Sequence, residues 1–496
     1  MVISCSVLLP REEFSRFYLR KSIAYYDGIL LPSNVIIPST TVELIKTKLI
    51  QALFLERFDY NYLPQVLQAK ADAAITGMGA VTVESLGRAL EDLFLPEIIK
   101  ILSINKELRA KEFVDRQERI NFLTTKAKES GITADDLEKV MNAGYLFIPF
   151  ITSYSRNIQG NRVGVNIEGG IIWYHISSTL EPPRLVPLVQ KSSSAFGSAI
   201  LGKKYHEFIW GGEELSADEF ATLSAVNAYV KNLQTLTREV PVFKLSAEIV
   251  SAGGGQIAFK LGNKEGIKLD DKFDIVEFFE DTAGIPKAKS IGCALVTKIA
   301  NNKDTTKTIR YSEARTFIGR AEPGMLAIER PRLPIDLGLR FVSFPLKQRN
   351  DQIQNFGGEL GLTFNVSNIF KLPHFYIPFS IGYGFPSDNT IERYYEIGLG
   401  LHKKFYLPRF SFGPLITGKY AEISNNNKES GLCAEFSGIV ELYLNPDFAF
   451  GAKGGYHLGG GKEMKTEGLI WSVGFNYNPP TLPFDPLGFL RGYAGI

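Results

Sequence analysis

The last third of the chain alternates between apolar residues and polar or small residues at every second position. In the run from Phe356 to Val366, every second residue, starting with Phe356, is apolar or glycine. The residues between them are Gly357, Glu359, Gly361, Thr363 and Asn365. Since successive side chains of a strand point to opposite faces, such a run predicts a strand with one apolar face. Similar runs follow one another at residues 335–341, 356–366, 375–385, 395–401, 410–417, 432–444, 448–456 and 469–477.

Two architectures accommodate such strands. A soluble sandwich turns the apolar face inward and exposes the polar face to water. A small transmembrane barrel does the reverse, and it needs an even number of strands of about ten residues. The polar face here is rich in Gly and Ser, and small residues fit the crowded interior of a narrow barrel. The sequence therefore predicts a multi-domain chain that ends in an eight-stranded antiparallel transmembrane β-barrel over residues 332–478.

Aromatic residues recur near both ends of the predicted strands. Amphipathic rings favour the two membrane–water interfaces, so such positions predict aromatic girdles. The girdle of one rim is predicted at Phe356, Tyr383, Tyr395, Tyr420, Tyr456 and Trp471. The girdle of the other rim is predicted at Phe364, Phe375, Phe405, Phe410, Phe448 and Tyr477.

The connections between the predicted strands differ in kind. Polar loops at residues 346–355, 386–393, 424–430 and 459–467 alternate with tighter turns at 367–373, 403–408 and 445–446. Outer-membrane barrels have long outer loops and short periplasmic turns. This asymmetry places the first set of connections outside the cell and the second set, with the tail at 479–496, in the periplasm.

Composition narrows the class of protein further. The chain has 496 residues and a formal net charge of +2, which gives no reason to expect a nucleic-acid partner. The three cysteines, Cys5, Cys293 and Cys433, have no metal-site spacing. We therefore expect no metal and no cofactor. Residues 1–19 are predicted to be the remnant of an export signal or a disordered segment, because Met1–Pro10 is a short apolar run without a basic start.

Residues 20–240 mix helical and strand patterns and predict an α+β domain. Ser216 and Glu219 form a capping box that opens a helix to about residue 236, and a long helical pattern covers 85–128. A strand at 22–31, a helix ending in RFDYN, a helix at 134–142 and the run NAGYLFIPFI resemble periplasmic domains of the CsgG and FlgT type. That resemblance implies a role in outer-membrane secretion channels or flagellar rings. The chain lacks the paired membrane hairpins with which CsgG subunits jointly form one large barrel.

Short strands dominate residues 241–331. The segments at 243–250, 255–262, 272–281, 291–300, 306–314 and 324–331 each read as one strand. Between two of them, Gly262–Asp271 resembles a loop of SH3-like barrels, with Gly262 and Gly266 suited to positive φ. The resemblance implies a small SH3-like β module.

Charged residues of both signs fall on the predicted inner face of the transmembrane barrel. Buried charges need partners, and a barrel of about eight strands has room only for side chains or one small ligand. We therefore predict a polar plug rather than an ion path, with Lys419 and Glu435 near the same level. The predicted interior network comprises Arg340, Glu359, Glu396, His402, Lys419, Glu435, Glu441, Lys453 and His457.

No motif with a recognisable nucleophile and base accompanies the five histidines, so we expect no catalytic activity. The combined pattern predicts a bacterial outer-membrane anchor or assembly protein of an envelope machine, with its N-terminal domains in the periplasm. Its expected partners are outer-membrane lipid and periplasmic proteins, and a homo-oligomer is possible. A small barrel enzyme acting on lipid and a soluble all-β binding protein remain alternatives.

Overall fold

The computed structural model describes much of residues 21–481. Its gaps are residue 27 and residues 54–57, 76–81, 111–115, 135–136, 138–139, 141–143, 178–183, 209–210, 281–285, 303–310, 349–350, 388–390, 425–427 and 460–463. The expected export-signal segment at 1–19 and most of the expected tail at 479–496 lie outside the described residues. The chain divides between Phe243 and Lys244 into two compact units.

The N-terminal unit is built on a five-stranded sheet with the order β2-β1-β3-β4-β5. β1 lies parallel to β2 and β3, whereas β3, β4 and β5 are antiparallel to one another. A separate hairpin consists of β6 and β7. The strands are β1 (Lys21–Tyr25), β2 (Phe58–Tyr62), β3 (Tyr145–Gln159), β4 (Arg162–Ser177), β5 (Arg184–Ile200), β6 (Tyr205–Phe208) and β7 (Gly211–Leu215).

Helices cover both faces of this sheet. The helices are α1 (Ser39–Leu53), α2 (Gln65–Ile75), α3 (Val83–Leu93), α4 (Leu95–Ala110), α5 (Arg116–Ser130) and α6 (Ala217–Glu239). Trp173 and Tyr174 are neighbours on β4 and point into opposite cores, as strand alternation requires. Trp173 packs with Phe243 and donates from its indole to Thr237 of α6 at 3.2 Å. The N-terminal α+β region is thus confirmed, with helices on both faces of the sheet.

Several element boundaries in this unit differ from the expectations. The helical pattern predicted at 85–128 is occupied by three helices, α3, α4 and α5. Thr82 caps α3 by accepting from the backbone of Ser85 at 3.2 Å, and Pro96 lies in the first turn of α4, where proline costs no helical hydrogen bond. The predicted strand at 22–31 is wrong beyond Tyr25. The capping box of Ser216 and Glu219 is present, and the predicted helix at 134–142 lies mostly outside the described residues.

The second unit begins with a closed six-stranded barrel. Its strands close in the order β10-β11-β12-β9-β8-β13, with β13 returning to β10. Phe259 and Phe273 pack against each other in its core with tilted rings whose centroids are 5.0 Å apart. The strands are β8 (Ser246–Gly253), β9 (Gln256–Phe259), β10 (Lys272–Glu280), β11 (Pro286–Lys298), β12 (Ser312–Gly319) and β13 (Leu326–Glu329). The predicted strand at 306–314 lies mostly outside the described residues, and its last part falls in β12, which begins at Ser312.

A second closed barrel follows, and it has the eight antiparallel strands that the alternation predicts. Each strand pairs with the next along the chain, and the last returns to the first. These strands are β14 (Ile335–Ser343), β17 (Asn355–Asn365), β18 (Phe375–Pro386), β19 (Arg393–Lys403), β21 (Phe410–Ser424), β22 (Lys428–Asn445), β23 (Phe448–Gly459) and β25 (Gly468–Tyr477).

The connections of the eight-stranded barrel define its two ends. The entry end carries Ile335 and Tyr477, the short helix α7 (Ser367–Phe370) and the short strand β20 (Phe405–Leu407). At the far end, the stretches expected to be plain loops include a three-stranded sheet of β15 (Leu346–Gln348), β16 (Asp351–Ile353) and β24 (Met464–Lys465). Among the described residues, no helix is both long enough and apolar enough to cross a membrane.

Candidate functional site: the interior and ends of the eight-stranded barrel

The eight-stranded barrel presents its apolar side chains outward. Leu360 of β17 is 63% exposed and Leu399 of β19 is 59% exposed, although both lie in the middle of their strands. The residues that precede them, Glu359 at 2% exposure and Gly398, are buried. The alternation in the sequence therefore places large apolar groups outside and polar groups inside, which is the orientation of a membrane barrel.

A cluster of charges fills the middle of the interior. Lys419 of β21 lies 2.6 Å from Glu435 Oε2 and also contacts Glu396 through its Nζ. Lys453 of β23 bridges Glu435 Oε1 at 3.1 Å and Glu359 Oε2 at 3.4 Å. Every one of these side chains is at most 2% exposed. Two lysines, on the strands that flank β22, are therefore shared among three glutamates of three other strands.

This cluster continues toward the entry end through arginine and asparagine. Arg340 Nη1 donates to Glu359 Oε1 at 3.1 Å, and its Nη2 donates to Asn476 Oδ1 at 3.2 Å. The amide nitrogen of Asn476 then donates to Glu441 Oε1 at 2.6 Å. Glu441 also accepts from Ser411 Oγ at 2.6 Å. The interior charges thus form one connected network.

A lysine and three tyrosines complete the network at the entry end. Lys404 Nζ lies 3.0 Å from Glu441 Oε2 and 4.8 Å from the ring centroid of Tyr376. The hydroxyl of Tyr443 donates to Glu441 at 3.1 Å, and it also contacts the hydroxyl of Tyr406 at 3.4 Å. Three lysines and one arginine therefore face four glutamates in this interior.

The balance of charge explains how the interior tolerates so many ionic groups. Removing a charge from water costs several kcal/mol unless a partner and further hydrogen bonds replace the solvent. Here each buried carboxylate has a cationic partner within 4.0 Å. Side chains occupy the space that an ion path would need, so the arrangement is that of a plug.

Both predicted interior histidines are buried. His457 lies on β23 with its Nδ1 3.0 Å from the carbonyl of Thr466 and its Nε2 3.8 Å from Glu396 Oε2. His402 lies on β19, 3% exposed, with its ring 6.3 Å from that of Tyr376. Neither histidine lies at an exposed rim.

An apolar group closes the far end of the interior. Phe344 packs on Tyr394 with ring centroids 5.1 Å apart, and Leu346 from β15 is 2% exposed beside them. The far-end connections thus fold back over the barrel mouth. The buried members of this group are Val342, Phe344, Leu346, Ile391, Tyr394, Ala421, Ile423, Cys433 and Ile470.

The six-stranded barrel closes the entry end. Phe317 of β12 makes edge contacts with Tyr406 and Tyr443, with ring centroids 5.5 and 5.0 Å apart. Cys293 and Leu295 of β11 belong to the same buried cluster. Burial raises the pKa of the Cys293 thiol to about 12, which keeps the thiol neutral. The network of the interior therefore meets a protein surface rather than water at this end.

Charged residues fasten the two barrels together at one side of this contact. Asp447, in the turn between β22 and β23, accepts from Arg330 and from Arg332, whose Nη2 atoms lie 2.5 and 2.6 Å from its Oδ2. Arg330 also donates to Asp274 of β10 at 3.0 Å, and Lys272 lies 3.5 Å from Asp447. Burial alone would raise the pKa of Asp447, but the hydrogen bonds from Arg332 and Arg330 hold that pKa well below its ordinary value.

A single carboxylate joins the two barrels on the opposite side of this contact. Asp270 of the six-stranded barrel accepts from Ser367 Oγ at 2.5 Å, from Asn365 Nδ2 at 2.8 Å and from the backbone of His374. The non-glycine residues with positive φ in the described chain are Asp270, Lys371, His374 and Arg409. All four lie at this junction, and such strained conformations persist only where the surroundings hold them firmly.

Ser367, Asp270 and His374 do not have the arrangement of a catalytic triad. The serine hydroxyl and the imidazole Nδ1 each lie 2.5 Å from an Asp270 oxygen, so the carboxylate stands between them. In a triad the base is the middle member. Among the described residues, no group of three His, Cys, Asp or Glu side chains is arranged to hold a metal ion.

The predicted aromatic girdles lie on the outer surface. At the far end, Tyr395 donates to Glu422 at 2.5 Å, and Phe341 stacks on Phe356 with ring centroids 5.8 Å apart. The partly or largely exposed residues of this rim are Phe356, Tyr383, Tyr395, Tyr420, Tyr456 and Trp471. Those of the entry rim are Phe364, Phe375, Phe405, Phe410, Phe448 and Tyr477.

All nine side chains of the predicted interior network point inward. Lys404, Tyr406 and Tyr443 complete the network at the entry end and are not among the residues predicted from the sequence. Lys404 falls in a predicted turn, and the tyrosines only become interior when β20 and β22 close against the six-stranded barrel. The signal in the sequence is parity: Tyr443 continues the inward positions of Glu435 and Glu441, and Lys404 and Tyr406 continue that of His402.

We expect the replacement Asp447→Asn to lower the free energy of unfolding by about 1–3 kcal/mol, because it leaves partly buried arginine donors without a charged acceptor. Since the pKa of Asp447 is depressed in the folded protein, its contribution is complete above its ordinary pKa and is lost as the pH falls toward the depressed value. Denaturant unfolding in detergent should therefore show a difference between wild type and variant that is constant from about pH 7 to pH 5 and shrinks only below about pH 4. A difference that grows on acidification would contradict this role.

No protein-family model matches this chain, and no curated protein matches it. The crystal structure of Neisserial surface protein A has a TM-score of 0.24 and 8% identity, covering 30% of this chain and 97% of that one. The crystal structure of Ail, the attachment invasion locus protein of Yersinia pestis, has a TM-score of 0.22 and 15% identity, covering 29% and 95%. A loop L8 deletion mutant of OmpT, an outer membrane protein of Vibrio cholerae, has a TM-score of 0.14 and 9% identity, covering 68% and 97%.

Proposed function

We propose that this protein is an outer-membrane anchor, in which the eight-stranded barrel spans the membrane and holds the remaining domains in the periplasm. The observation that carries this proposal is the outer surface of the barrel. Side chains such as Leu360, Leu399 and Leu469 would each lose about 2 kcal/mol of burial energy by facing water. A lipid environment removes that cost for all the outward-facing apolar side chains of the eight-stranded barrel, which we call the apolar belt.

The interior favours an anchor over a channel. Its charges are paired, its far end is closed by the Phe344 group and its entry end by Phe317 and its neighbours. An ion path would need a water-filled route past Lys419 and Lys453, which are at most 2% exposed. The barrel therefore anchors the chain in the membrane, and the periplasmic domains bind other proteins.

The domains outside the barrel suggest what is held. The resemblance of residues 20–240 to CsgG- and FlgT-type domains, and of 241–331 to an SH3-like module, supports a role in the assembly of a secretion or appendage machine. The partners in this proposal are periplasmic proteins, and the chain itself carries out no catalysis. Its six-stranded barrel has a second role as the stopper of the transmembrane barrel.

The placement of the protein is tested by thiol labelling on intact cells. Single cysteines at Gln352 and at Asn445, each in a Cys5→Ser, Cys433→Ser background, lie at the far and entry ends of the barrel. We expect a membrane-impermeant maleimide to label the first and not the second, because the entry end faces the periplasm. The folded protein should also migrate faster on a gel before heating than after it. Labelling at Asn445 alone would invert the topology, and a soluble, freely labelled protein would refute the anchor.

A further inference from the structure

Two connections at the entry end of the eight-stranded barrel expose apolar residues beyond its strands. In the turn between β17 and β18, Ile369 is 75% exposed, Phe370 51% and Leu372 50%. The neighbouring connection between β19 and β21 exposes Phe405 and Leu407 by nearly half. Such a cluster is costly in water, and a contiguous apolar surface of this kind marks an interaction site.

The two connections form one continuous surface, which we call the entry-side collar. Phe370 packs edge-on against Phe375 at 5.4 Å, and Phe375 pairs with Lys403 across the strands. Lys403 lies 5.7 Å above the ring of Phe405, which stacks on Phe412 of the belt. The collar is therefore an extension of the apolar belt toward the six-stranded barrel.

The collar also carries positive charge. Lys371 and Arg409 are exposed, and Lys403 is partly exposed. The acidic group at this turn, Asp270, is buried within the junction, and Lys403 Nζ donates to the backbone carbonyl of Pro373. An apolar surface edged with exposed lysine and arginine matches a membrane interface with anionic headgroups.

Hydrogen bonds to Asp270 of the six-stranded barrel hold the turn between β17 and β18 in this orientation. The polar groups of Asn365 and Ser367 and the backbone N–H of His374 all bond to Asp270. Lys371 and His374 adopt left-handed φ angles of 57° and 59°, which strain any residue except glycine. The polar side of the turn is thus satisfied inward, and Ile369, Phe370 and Leu372 are left to face outward.

The third connection at the same end provides an internal contrast. The turn between β22 and β23 consists of Asn445, Pro446 and Asp447, and Asp447 is committed to the junction. Leu444 directly before the turn is 59% exposed, but the turn itself carries no lysine or arginine. The collar is thus a feature of one side of the barrel and not of its entire circumference.

We propose that the entry-side collar inserts into the membrane leaflet on the entry side and binds anionic phospholipid headgroups through Lys371, Lys403 and Arg409. This inference rests on the proposed membrane location of the barrel. The collar extends the anchor beyond the strands, and it fixes how the six-stranded barrel stands against the membrane, because Asp270 of that barrel holds the turn.

The insertion is tested with a fluorescent label in vesicles of phosphatidylcholine and phosphatidylglycerol. Single cysteines replace Leu372 in the collar, Leu399 in the middle of the belt and Val250 on the six-stranded barrel, in a Cys5→Ser, Cys433→Ser background. Cys293 stays unlabelled because it is buried. The label is an environment-sensitive nitrobenzoxadiazole, and the quencher is a brominated lipid.

We expect blue-shifted emission and quenching by bromolipid for the labels at Leu372→Cys and Leu399→Cys, and neither for Val250→Cys. Quenching at Leu399→Cys without quenching at Leu372→Cys would overturn the collar and leave the membrane barrel standing. Absence of quenching at both would overturn the membrane barrel as well. Quenching at all three positions would show that the label itself partitions, and it would overturn the selective insertion of the collar.

Headgroup binding is tested on the same full-length protein. The variant Lys371→Gln with Arg409→Gln is compared with Lys289→Gln and Lys298→Gln, which removes two exposed charges from the six-stranded barrel. We expect the enrichment of phosphatidylglycerol over phosphatidylcholine, measured on lipid retained by the purified protein, to fall about fivefold per collar charge. Equal enrichment in wild type and in both variants would overturn the headgroup site.

Discussion

Replacing Lys419 with methionine is expected to destabilise the eight-stranded barrel by about 3–5 kcal/mol, as the loss of one partner from a buried ionic group does. Lys419 contacts Glu396 and Glu435, and both carboxylates are at most 1% exposed. Without Lys419, the basic group beside the buried carboxylate of Glu396 would be the imidazole of His457, at 3.8 Å. Denaturant unfolding of the protein in lipid vesicles, followed by gel mobility, measures this loss.

The matched control is Arg393→Met on β19. Arg393 is exposed, so removal of its charge should change the free energy of unfolding by less than about 1 kcal/mol. The double variant Lys419→Met with Glu396→Gln should recover part of the lost stability, because it also removes the stranded carboxylate. If Lys419→Met and Arg393→Met behave alike, the interior charges do not hold the barrel together.

Arginine in place of Leu362 is expected to destabilise the barrel in vesicles by about 2–4 kcal/mol, because it would place a charge against the bilayer interior. Leu362 lies on the outward face of β17, opposite Leu337 of β14 and Phe379 of β18. The effect arises from lipid and not from packing within the barrel. Unfolding in vesicles and unfolding in a zwitterionic detergent micelle should therefore differ, with the larger loss in vesicles.

The control for this prediction is Leu432→Arg on β22. Leu432 also points outward and is 78% exposed, but it pairs with Tyr420 of the far-end girdle. Near the interface the cost of arginine falls to about 0–1 kcal/mol. A loss at Leu432 as large as that at Leu362 would mean that depth in the membrane does not govern either effect, and the outward face would then not meet lipid.

The eight-stranded barrel was predictable because its signal is local. Each strand carries its own alternation, as the neighbours Glu359 and Leu360 show, and the charged residues mark which face turns inward. Even Leu415, which breaks the pattern of its run, is 4% exposed among the interior residues. Strand number, strand order and the inward direction of the network could therefore be read without any long-range contact.

The N-terminal unit was harder to predict for the opposite reason. β5 contains Pro187 and a run of serines, so it lacks the alternation that identifies a strand, and its place at the sheet edge depends on pairing with β4. The three helices within 83–130 pack their apolar residues in one core with residues of the sheet. These signals are weak in sequence because distant residues decide between the alternatives.

By itself, the sequence determined the period of each strand, the apolar belt and the charges of the barrel interior. Successive side chains of a strand point to opposite faces, so the face of each residue follows from its place in the run. The tertiary structure alone decided how that interior is closed. Lys404, Tyr406 and Tyr443 join the network only where the six-stranded barrel docks, and Asp270 meets Ser367 and His374 across about a hundred residues of chain. Contacts of that range leave no periodic trace, since they arise from the meeting of two folded surfaces.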